Sequence, residues 1–144
     1  MQILLFSKST NDGITPDDYQ EISVSVDPDA NALIDWRAEG KVTHVKNQYS
    51  CGSCWAFAGT GVLESFHAIE TGRLVSLSEQ QSLDCNANNY GCSGGNAASV
   101  WRMAVNTPIV AETLYPYKNY KSTCRVFTSG EAYATSYTKI TAYS

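Results

Sequence analysis

Apolar side chains in the middle of the chain predict two helices between residues 54 and 108, and a capping signal predicts a third between them. The third helix has the clearest pattern, because its apolar residues follow the i, i+3, i+4, i+7, i+8 stripe of an amphipathic helix. These residues are Ala97, Val100, Trp101, Ala104 and Val105. Pro108 follows the stripe and predicts its end, since proline cannot continue a helix.

The first predicted helix extends from Cys54 to Ile69 and carries apolar groups on most of its sides. A helix of this kind is expected to be buried rather than amphipathic. Gly72 lies where a glycine C-cap is expected. A second helix is predicted to begin after Ser78, because the sequence SEQQ at residues 78–81 has the S-x-x-Q pattern of a capping box.

The two ends of the chain are less regular. Residues 1–33 are polar, acidic and rich in turn residues, and they predict an N-terminal extension of a domain that spans residues 34–144. Within the extension, residues 22–26 alternate between apolar and polar side chains as a short strand does. Residues 132–140 have partial strand character.

Composition limits the classes of function. The 144 residues are 43% hydrophobic and 17% charged, which is typical of one globular domain with a core. A net charge of −4 and a pI near 5.0 argue against nucleic-acid binding, which normally needs a basic face. Basic residues are scattered and no apolar run approaches the roughly 20 residues of a membrane span, so no membrane partner is expected. Residues 1–6 lack the basic start and the cleavage site of a signal peptide.

The cysteine count indicates an oxidising compartment. The chain has 5 cysteines, and an odd number predicts two disulfides and one free thiol that is a candidate reactive group. They are Cys51, Cys54, Cys85, Cys92 and Cys124. Once one cysteine is set aside, the other four allow three connectivities, so the count alone leaves the pairing open.

The densest candidate chemistry lies in the sequence QYSCGSCWAF at residues 48–57. It places Cys54 in the first turn of a predicted helix, where the partial positive charge of the helix N-terminus favours thiolate over thiol. A cysteine that attacks a substrate needs this form, because the thiolate is the nucleophile. Gly52 leaves room for a substrate backbone to approach.

This segment resembles the active-site segment of papain-family (cathepsin-like) cysteine proteases, and the resemblance covers about residues 34–140. Residues 35–37 and 42–48 resemble the family's mature N-terminus, and residues 77–85 resemble its second helix. Residues 91–95 resemble the glycine strip beside the substrate cleft. Residues 115–117 and Cys124 match the later Tyr-Pro-Tyr and cysteine positions.

The resemblance implies a role for each matching position. Cys54 is the nucleophile, and Gln48 offers its side-chain amide to the oxyanion beside the backbone N–H of Cys54. The cleft is bordered by Gly52, Gly94 and Gly95. The disulfides that the resemblance implies are Cys51–Cys92 and Cys85–Cys124. Tyr49 departs from the family, which usually has glycine at this position.

The resemblance also implies an α+β, papain-like fold of two lobes, a mostly helical left lobe with the cysteine and a β-rich lobe with the catalytic histidine. We expect this chain to hold mainly the helical lobe, with the second lobe largely absent. The family's histidine and asparagine lie roughly 130 to 150 residues after the cysteine. Of the two histidines here, His67 is expected about 20 Å from Cys54 along one helix, and His44 on a surface loop. Residues 15–19 faintly resemble the end of a family propeptide, so residues 1–33 are interpreted as a propeptide remnant.

The expected function is therefore that of a cysteine-type peptidase that acts through a thioester acyl-enzyme. The chain alone is expected to be inactive, since the catalytic histidine and asparagine are missing. No metal and no organic cofactor are implied. The expected partners are a peptide or protein substrate, the missing C-terminal lobe, a propeptide or a cystatin-like inhibitor. The family and the disulfides imply a lysosomal, vacuolar or secreted location.

Three other interpretations compete with this one. Cys51 and Cys54 form a C-x-x-C sequence, which occurs in thioredoxin-like redox proteins. A zinc site could use Cys51, Cys54, Cys85 and Cys92, although their spacing is poor for a zinc ribbon. A protease-like lobe could also serve as a structural or binding module without catalysis.

Overall fold

A computed structural model describes residues 20–25 and 34–143, and it describes side chains over residues 34–137. Residues 15–19, which resemble the end of a propeptide, lie outside the described residues. The chain divides into two compact units, residues 1–35 with 137–144 and residues 36–136. Among the described residues, no helix is both long enough and apolar enough to cross a membrane.

The described part of the smaller unit is a two-stranded parallel sheet. Strand β1 is Gln20–Ser25 and strand β2 is Thr138–Tyr143. Their register places Gln20 opposite Thr138 and Ser25 opposite Tyr143. The strand predicted near residues 22–26 is confirmed, whereas the strand predicted over residues 132–140 begins later, at Thr138. The division predicted at residue 34 stays a prediction.

The larger unit contains the three predicted helices. Helix α1 is Cys54–Thr71, helix α2 is Glu79–Cys85 and helix α3 is Ala98–Asn106. Gly72 ends α1 in the left-handed conformation at φ 75°, as expected of a C-cap glycine, and its N–H donates to the Ala68 carbonyl at 3.1 Å. Helix α3 ends two residues before Pro108, which the proline predicts.

Only half of the predicted capping box forms at the start of α2. The Ser78 hydroxyl accepts from the Gln81 backbone N–H at 2.9 Å, as the pattern predicts. The Gln81 side chain turns away, donating to the Pro108 carbonyl and accepting from the Val110 N–H, both at 2.9 Å. The backbone N–H of Ser78 donates instead to the Val110 carbonyl. Gln81 therefore ties α2 to the segment that follows α3.

Helix α1 packs against both α2 and α3 around the hydrophobic core of the larger unit. The approach to α3 is close, because a Cβ built on Gly59 would lie 2.6 Å from the Val100 Cβ. The indole N–H of Trp101 also donates to the Gly59 carbonyl at 3.0 Å. The largest apolar core side chains are Trp55, Leu63, Leu77, Leu83, Val100 and Ile109.

The expectation that α1 is buried rather than amphipathic is wrong. Phe66 is 61% exposed and Ile69 is 38% exposed, and Ala58 on the same face is exposed as well. Helices α2 and α3 cover the face that contains Trp55, Gly59 and Leu63, so the apolar residues elsewhere on α1 face outward.

A buried ion cluster fixes the chain before α1. The Lys46 ammonium lies against the Glu64 carboxylate of α1 and bonds the Glu79 carboxylate of α2 at 2.5 Å. Both carboxylates are almost fully buried, and Glu64 also accepts from the Leu77 N–H at 2.8 Å. Buried charges need partners of this kind, because an unpaired ion pays the full cost of desolvation. One lysine thus joins the segment before the nucleophile to two helices.

Two disulfides complete the larger unit, Cys51–Cys92 and Cys85–Cys124. These are the pairs that the family resemblance implies. Cys54 is the free cysteine. A zinc site of four thiolates is incompatible with these bonds, and so is a redox pair between Cys51 and Cys54.

Candidate active site

Cys54 is the first residue of α1, and its side chain is exposed. The preceding N-cap residue, Ser53, makes no side-chain cap, and the first turn of the helix contains no acidic residue. The unpaired N–H groups of a helix start carry partial positive charge and favour anions. The exposed sulfur therefore lies at the end of the helix where negative charge on a nucleophile is best tolerated.

The nucleophile segment, residues 48–54, is held against the glycine strip, residues 91–95. Gly52 pairs with Ser93 in a parallel bridge, and its N–H donates to the Cys92 carbonyl at 2.9 Å. A Cβ on Gly52 would lie 2.4 Å from that carbonyl oxygen. Glycine is thus required by the close approach of the chain itself, a reason that the sequence did not reveal.

Gln48 lies half-buried at the start of the nucleophile segment. Its Nε2 donates to the Cys51 carbonyl at 2.9 Å, which uses one of its two N–H groups. The Tyr117 hydroxyl donates to the Gln48 carbonyl at 2.9 Å and lies 2.7 Å from the Ser53 hydroxyl. Tyr117 also packs edge-on against Phe57, with 5.0 Å between the ring centroids. One tyrosine therefore bonds the chain on both sides of Cys51, at the Gln48 carbonyl and at the Ser53 side chain.

The segment also contacts Asn119, which belongs to none of the motifs found in the sequence. The Cys51 N–H donates to Asn119 Oδ1, and Asn119 Nδ2 donates to the Ser50 hydroxyl, both at 3.0 Å. Asn119 has φ 65° and Tyr49 has φ 51°. Asparagine tolerates this left-handed region better than most residues, and that tolerance is the one signal in the sequence that could have drawn attention to it.

The glycine strip is shaped by Asn89 and by its own backbone. Gly94 adopts φ 115°, which favours glycine, although the space around its missing Cβ is open. Gly95 is different, because a Cβ there would lie 2.2 Å from Asn89 Oδ1. The same oxygen accepts from the Asn96 N–H at 2.6 Å. Asn89 is buried and Gly95 exposed, so the strip presents its backbone outward beside Gly52.

We find neither histidine in a position to act as the partner of Cys54. His67 lies thirteen residues along the helix, about 20 Å from Cys54 at the rise of an α-helix. Its Nε2 is buried and has no hydrogen-bond partner among the described residues. His44 is exposed on the segment that precedes Lys46.

Two carboxyl groups of the larger unit, the buried Glu79 and the half-buried Glu112, have raised pKa values. Burial raises the pKa of Glu79 to about 7, although the hydrogen bond and charge of Lys46 lower it. Burial also raises the pKa of Glu112, while its bond from the Tyr117 N–H, 2.7 Å long, and the neighbouring Glu79 lower it. The buried Glu112 Oε2 has no conventional donor among the described residues.

Comparison with known proteins places these features in a family. The family model for papain family cysteine proteases matches residues 30–144. Ananain from Ananas comosus is 45% identical over 126 residues, 85% of this chain and 35% of ananain. Papain from Carica papaya is 41% identical over 107 residues, 74% of this chain and 31% of papain.

A solved structure of the bromelain protease from Ananas comosus, in complex with the E64 inhibitor, matches the fold with a TM-score of 0.66 and 45% identity. The match covers 69% of this chain and 47% of that chain. The fold and the free cysteine at a helix start define a cysteine protease lobe. The chain belongs to the papain family of cysteine proteases, and its fold is mainly the helical lobe of that family. It spans about a third of the length of ananain and of papain.

Proposed function

We propose that this chain supplies the nucleophile half of a cysteine peptidase active site. The observation that carries the proposal is the isolation of Cys54, which is free and exposed at the start of α1 while the other four cysteines are bonded. Family membership supports the reaction proposed for this thiol, which is attack on a peptide carbonyl.

In the proposed reaction a histidine takes the proton of the Cys54 thiol, the sulfur bonds to the carbonyl carbon, and the carbonyl oxygen becomes an oxyanion. The free N–H of Gln48 Nε2 and the backbone N–H of Cys54 donate to that oxygen. The C–N bond then breaks, leaving a thioester, and the amine departs with a proton from a histidine. Water then hydrolyses the thioester, which releases the acyl group as a carboxylic acid and returns the thiol.

The histidine and its orienting asparagine belong, in this proposal, to a β-rich lobe that completes the cleft. His67 is too distant by helix geometry, and His44 is exposed on the segment before Lys46. The proposal therefore assigns no turnover to residues 1–144 alone. The chain would react with peptides or proteins only when a second lobe, from the same polypeptide or added separately, faces Cys54.

The same proposal covers partners and location. Peptide backbone would lie along the half-buried Gly94 and the exposed Gly95, whose backbone would offer hydrogen bonds to an extended strand. A propeptide or a cystatin-like inhibitor would occupy the same cleft. Two disulfides are typical of oxidising compartments, which supports a lysosomal, vacuolar or secreted location.

A test combines the chain with the C-terminal lobe of ananain by joint refolding. Turnover of a fluorogenic peptide and rapid alkylation of Cys54 are expected in the mixture, and neither in the chain alone. The Cys54→Ser variant serves as the control and must abolish both. If Cys54 reacts no faster than an ordinary exposed thiol in a folded mixture, the chain is a protease-like module without catalysis and the proposal fails.

A further inference from the structure

Asn119 contacts the nucleophile segment from a loop that is distant in sequence. Its Oδ1 accepts from the Cys51 N–H and its Nδ2 donates to the Ser50 hydroxyl, each at 3.0 Å. The Ser50 hydroxyl also lies 3.5 Å from Oδ1. A single amide therefore engages two consecutive residues of the segment, as both acceptor and donor.

Cys51 is held at three points. Its N–H donates to Asn119 Oδ1, and its sulfur forms the disulfide with Cys92. Its carbonyl accepts from Gln48 Nε2 at 2.9 Å. The Ser53 N–H also donates to this carbonyl, at 2.8 Å. The orientation of the peptide groups around Cys51 thus determines where the Gln48 side chain finds its acceptor.

The backbone of Asn119 suits this contact. At φ 65° a β-branched or bulky side chain would be strained, whereas asparagine adopts the region at low cost. Its side chain is short enough to bond the neighbouring backbone directly. Glycine would share the backbone conformation without offering either hydrogen bond.

We propose that Asn119 is a positioning residue for the oxyanion site: it fixes the peptide group before Cys51, and through the Cys51 carbonyl it orients the side-chain amide of Gln48. The catalytic consequence rests on the proposed function, since Gln48 matters for rate only if Cys54 attacks a carbonyl. The geometric consequence concerns this chain alone.

The test uses two variants of the full chain with different chemistry at one position. Asn119→Gly keeps the left-handed backbone and removes both hydrogen bonds. Asn119→Asp keeps an acceptor for the Cys51 N–H, and the Ser50 hydroxyl can rotate to donate to it. We expect the Cys51 amide to exchange with solvent about five to ten times faster in Asn119→Gly, as loss of one hydrogen bond implies, and at close to the parent rate in Asn119→Asp.

The decisive readout is the side-chain amide of Gln48 in a ¹⁵N-correlated NMR spectrum. It should shift and broaden in Asn119→Gly and return toward its original position in Asn119→Asp. Unchanged Gln48 signals in Asn119→Gly overturn the proposal, even if the Cys51 amide exchanges faster, because Asn119 would then stabilise only its local loop. A urea titration confirms that both variants are folded.

The refolded mixture with the ananain lobe then separates the two proposals. In an active mixture, Asn119→Gly should lower kcat and kcat/KM together by about tenfold, because the oxyanion contact is made in the transition state. An unchanged kcat overturns the catalytic part. A mixture without turnover, with the Gln48 signals changed as expected, contradicts the proposed peptidase function and leaves the positioning of Gln48 by Asn119 in place.

Discussion

Tyr49 has a backbone conformation that is unusual for a residue with a bulky side chain. Its φ of 51° lies in the left-handed region, which suits the glycine usual at this position. Its N–H donates to Asn47 Oδ1 at 2.7 Å, and its ring is 69% exposed. The ring therefore gains little from packing, while the backbone keeps a strained conformation beside Gln48.

Tyr49→Gly should stabilise the chain. Relief of strain at a left-handed residue is worth 1–3 kcal/mol, and the added freedom of the unfolded chain returns part of it, so a net gain of about 1 kcal/mol is expected in urea unfolding. Tyr49→Ala is the matched control, because it also removes the ring but keeps the Cβ. Equal stabilities for the two variants would place the effect in the ring rather than in the backbone.

At the scale of the elements, helix α1 contains two glycines with opposite surroundings. A Cβ on Gly59 would lie 2.6 Å from the Val100 Cβ and 2.9 Å from the Ala97 carbonyl, whereas a Cβ on Gly61 would meet nothing within 4 Å. The first glycine sets the spacing between α1 and α3, and the second only weakens its own helix.

Gly59→Ala is expected to lower the free energy of unfolding by about 2 kcal/mol through overpacking. Gly61→Ala is expected to raise it by up to about 1 kcal/mol, since alanine is the better helix former. Parallel urea titrations of the two variants measure both effects. A loss of stability in both would mean that α1 tolerates no added methyl group, and the spacing argument would be wrong.

The ion cluster that joins α1 and α2 predicts a dependence of stability on pH. The pKa of Glu79 is raised to about 7 in the folded protein from an ordinary value near 4.5. The folded state therefore binds the proton of Glu79 more tightly than the unfolded state does. The contribution of Glu79 to the free energy of unfolding is fully present below about pH 4.5 and is lost as the pH rises through about 7. The raised pKa of Glu112 acts in the same direction.

Urea titrations at pH 5 and pH 8 should differ by about 2 kcal/mol, with the chain less stable at pH 8. Glu79→Gln removes the titrating group and should reduce this difference, which separates its effect from those of other carboxyl groups. Lys46 does not change the expected loss of stability between pH 5 and pH 8, because it stays charged over that range. Burial lowers its pKa, but its bonds to Glu64 and Glu79 outweigh this effect and raise the pKa above its ordinary value of 10.5. A variant whose stability falls as steeply as that of the parent would contradict the assignment to Glu79.

At the scale of the whole molecule, each disulfide contributes to the free energy of unfolding by closing a long loop in the chain. Cys85 and Cys124 are separated by 39 residues, and closing such a loop is worth about 4 kcal/mol in the chain-entropy description. The double variant Cys85→Ser with Cys124→Ser should lose stability of that order in urea. The matched control is Cys54→Ser, which changes an exposed thiol and should stay within about 0.5 kcal/mol of the parent. Comparable losses in both would argue against a stabilising role of the bond.

Much of the helical structure could be predicted because its signals are local. The stripe ending at Pro108, the glycine after α1 and the serine before α2 each act within one or two helical turns. The Gln81 side chain, the Asn119 contact and the exposure of Phe66 could not be predicted in this way. Each depends on which segment from elsewhere in the chain arrives beside it, and no pattern within a helix encodes that.

The same limit applies to the candidate site. The residue types around Cys54 drew attention to Gln48 and to the glycines, but the reason for Gly52 lies in the Cys92 carbonyl, forty residues later. Tyr117 belonged to a recognised motif without an assigned role. Its hydroxyl, between the Gln48 carbonyl and the Ser53 hydroxyl, acquires that role only in three dimensions.

The exposed thiol at the start of α1 also offers a way to observe the protein. Four of the five cysteines are bonded, so a maleimide dye should attach at a single position with one dye per chain. The buried indole of the adjacent Trp55, fixed by its bond to the Gly91 carbonyl, would be a short-range quencher of known location. Fluorescence from such a conjugate would report the docking of a second lobe or an inhibitor in real time, without requiring any peptide to be cleaved.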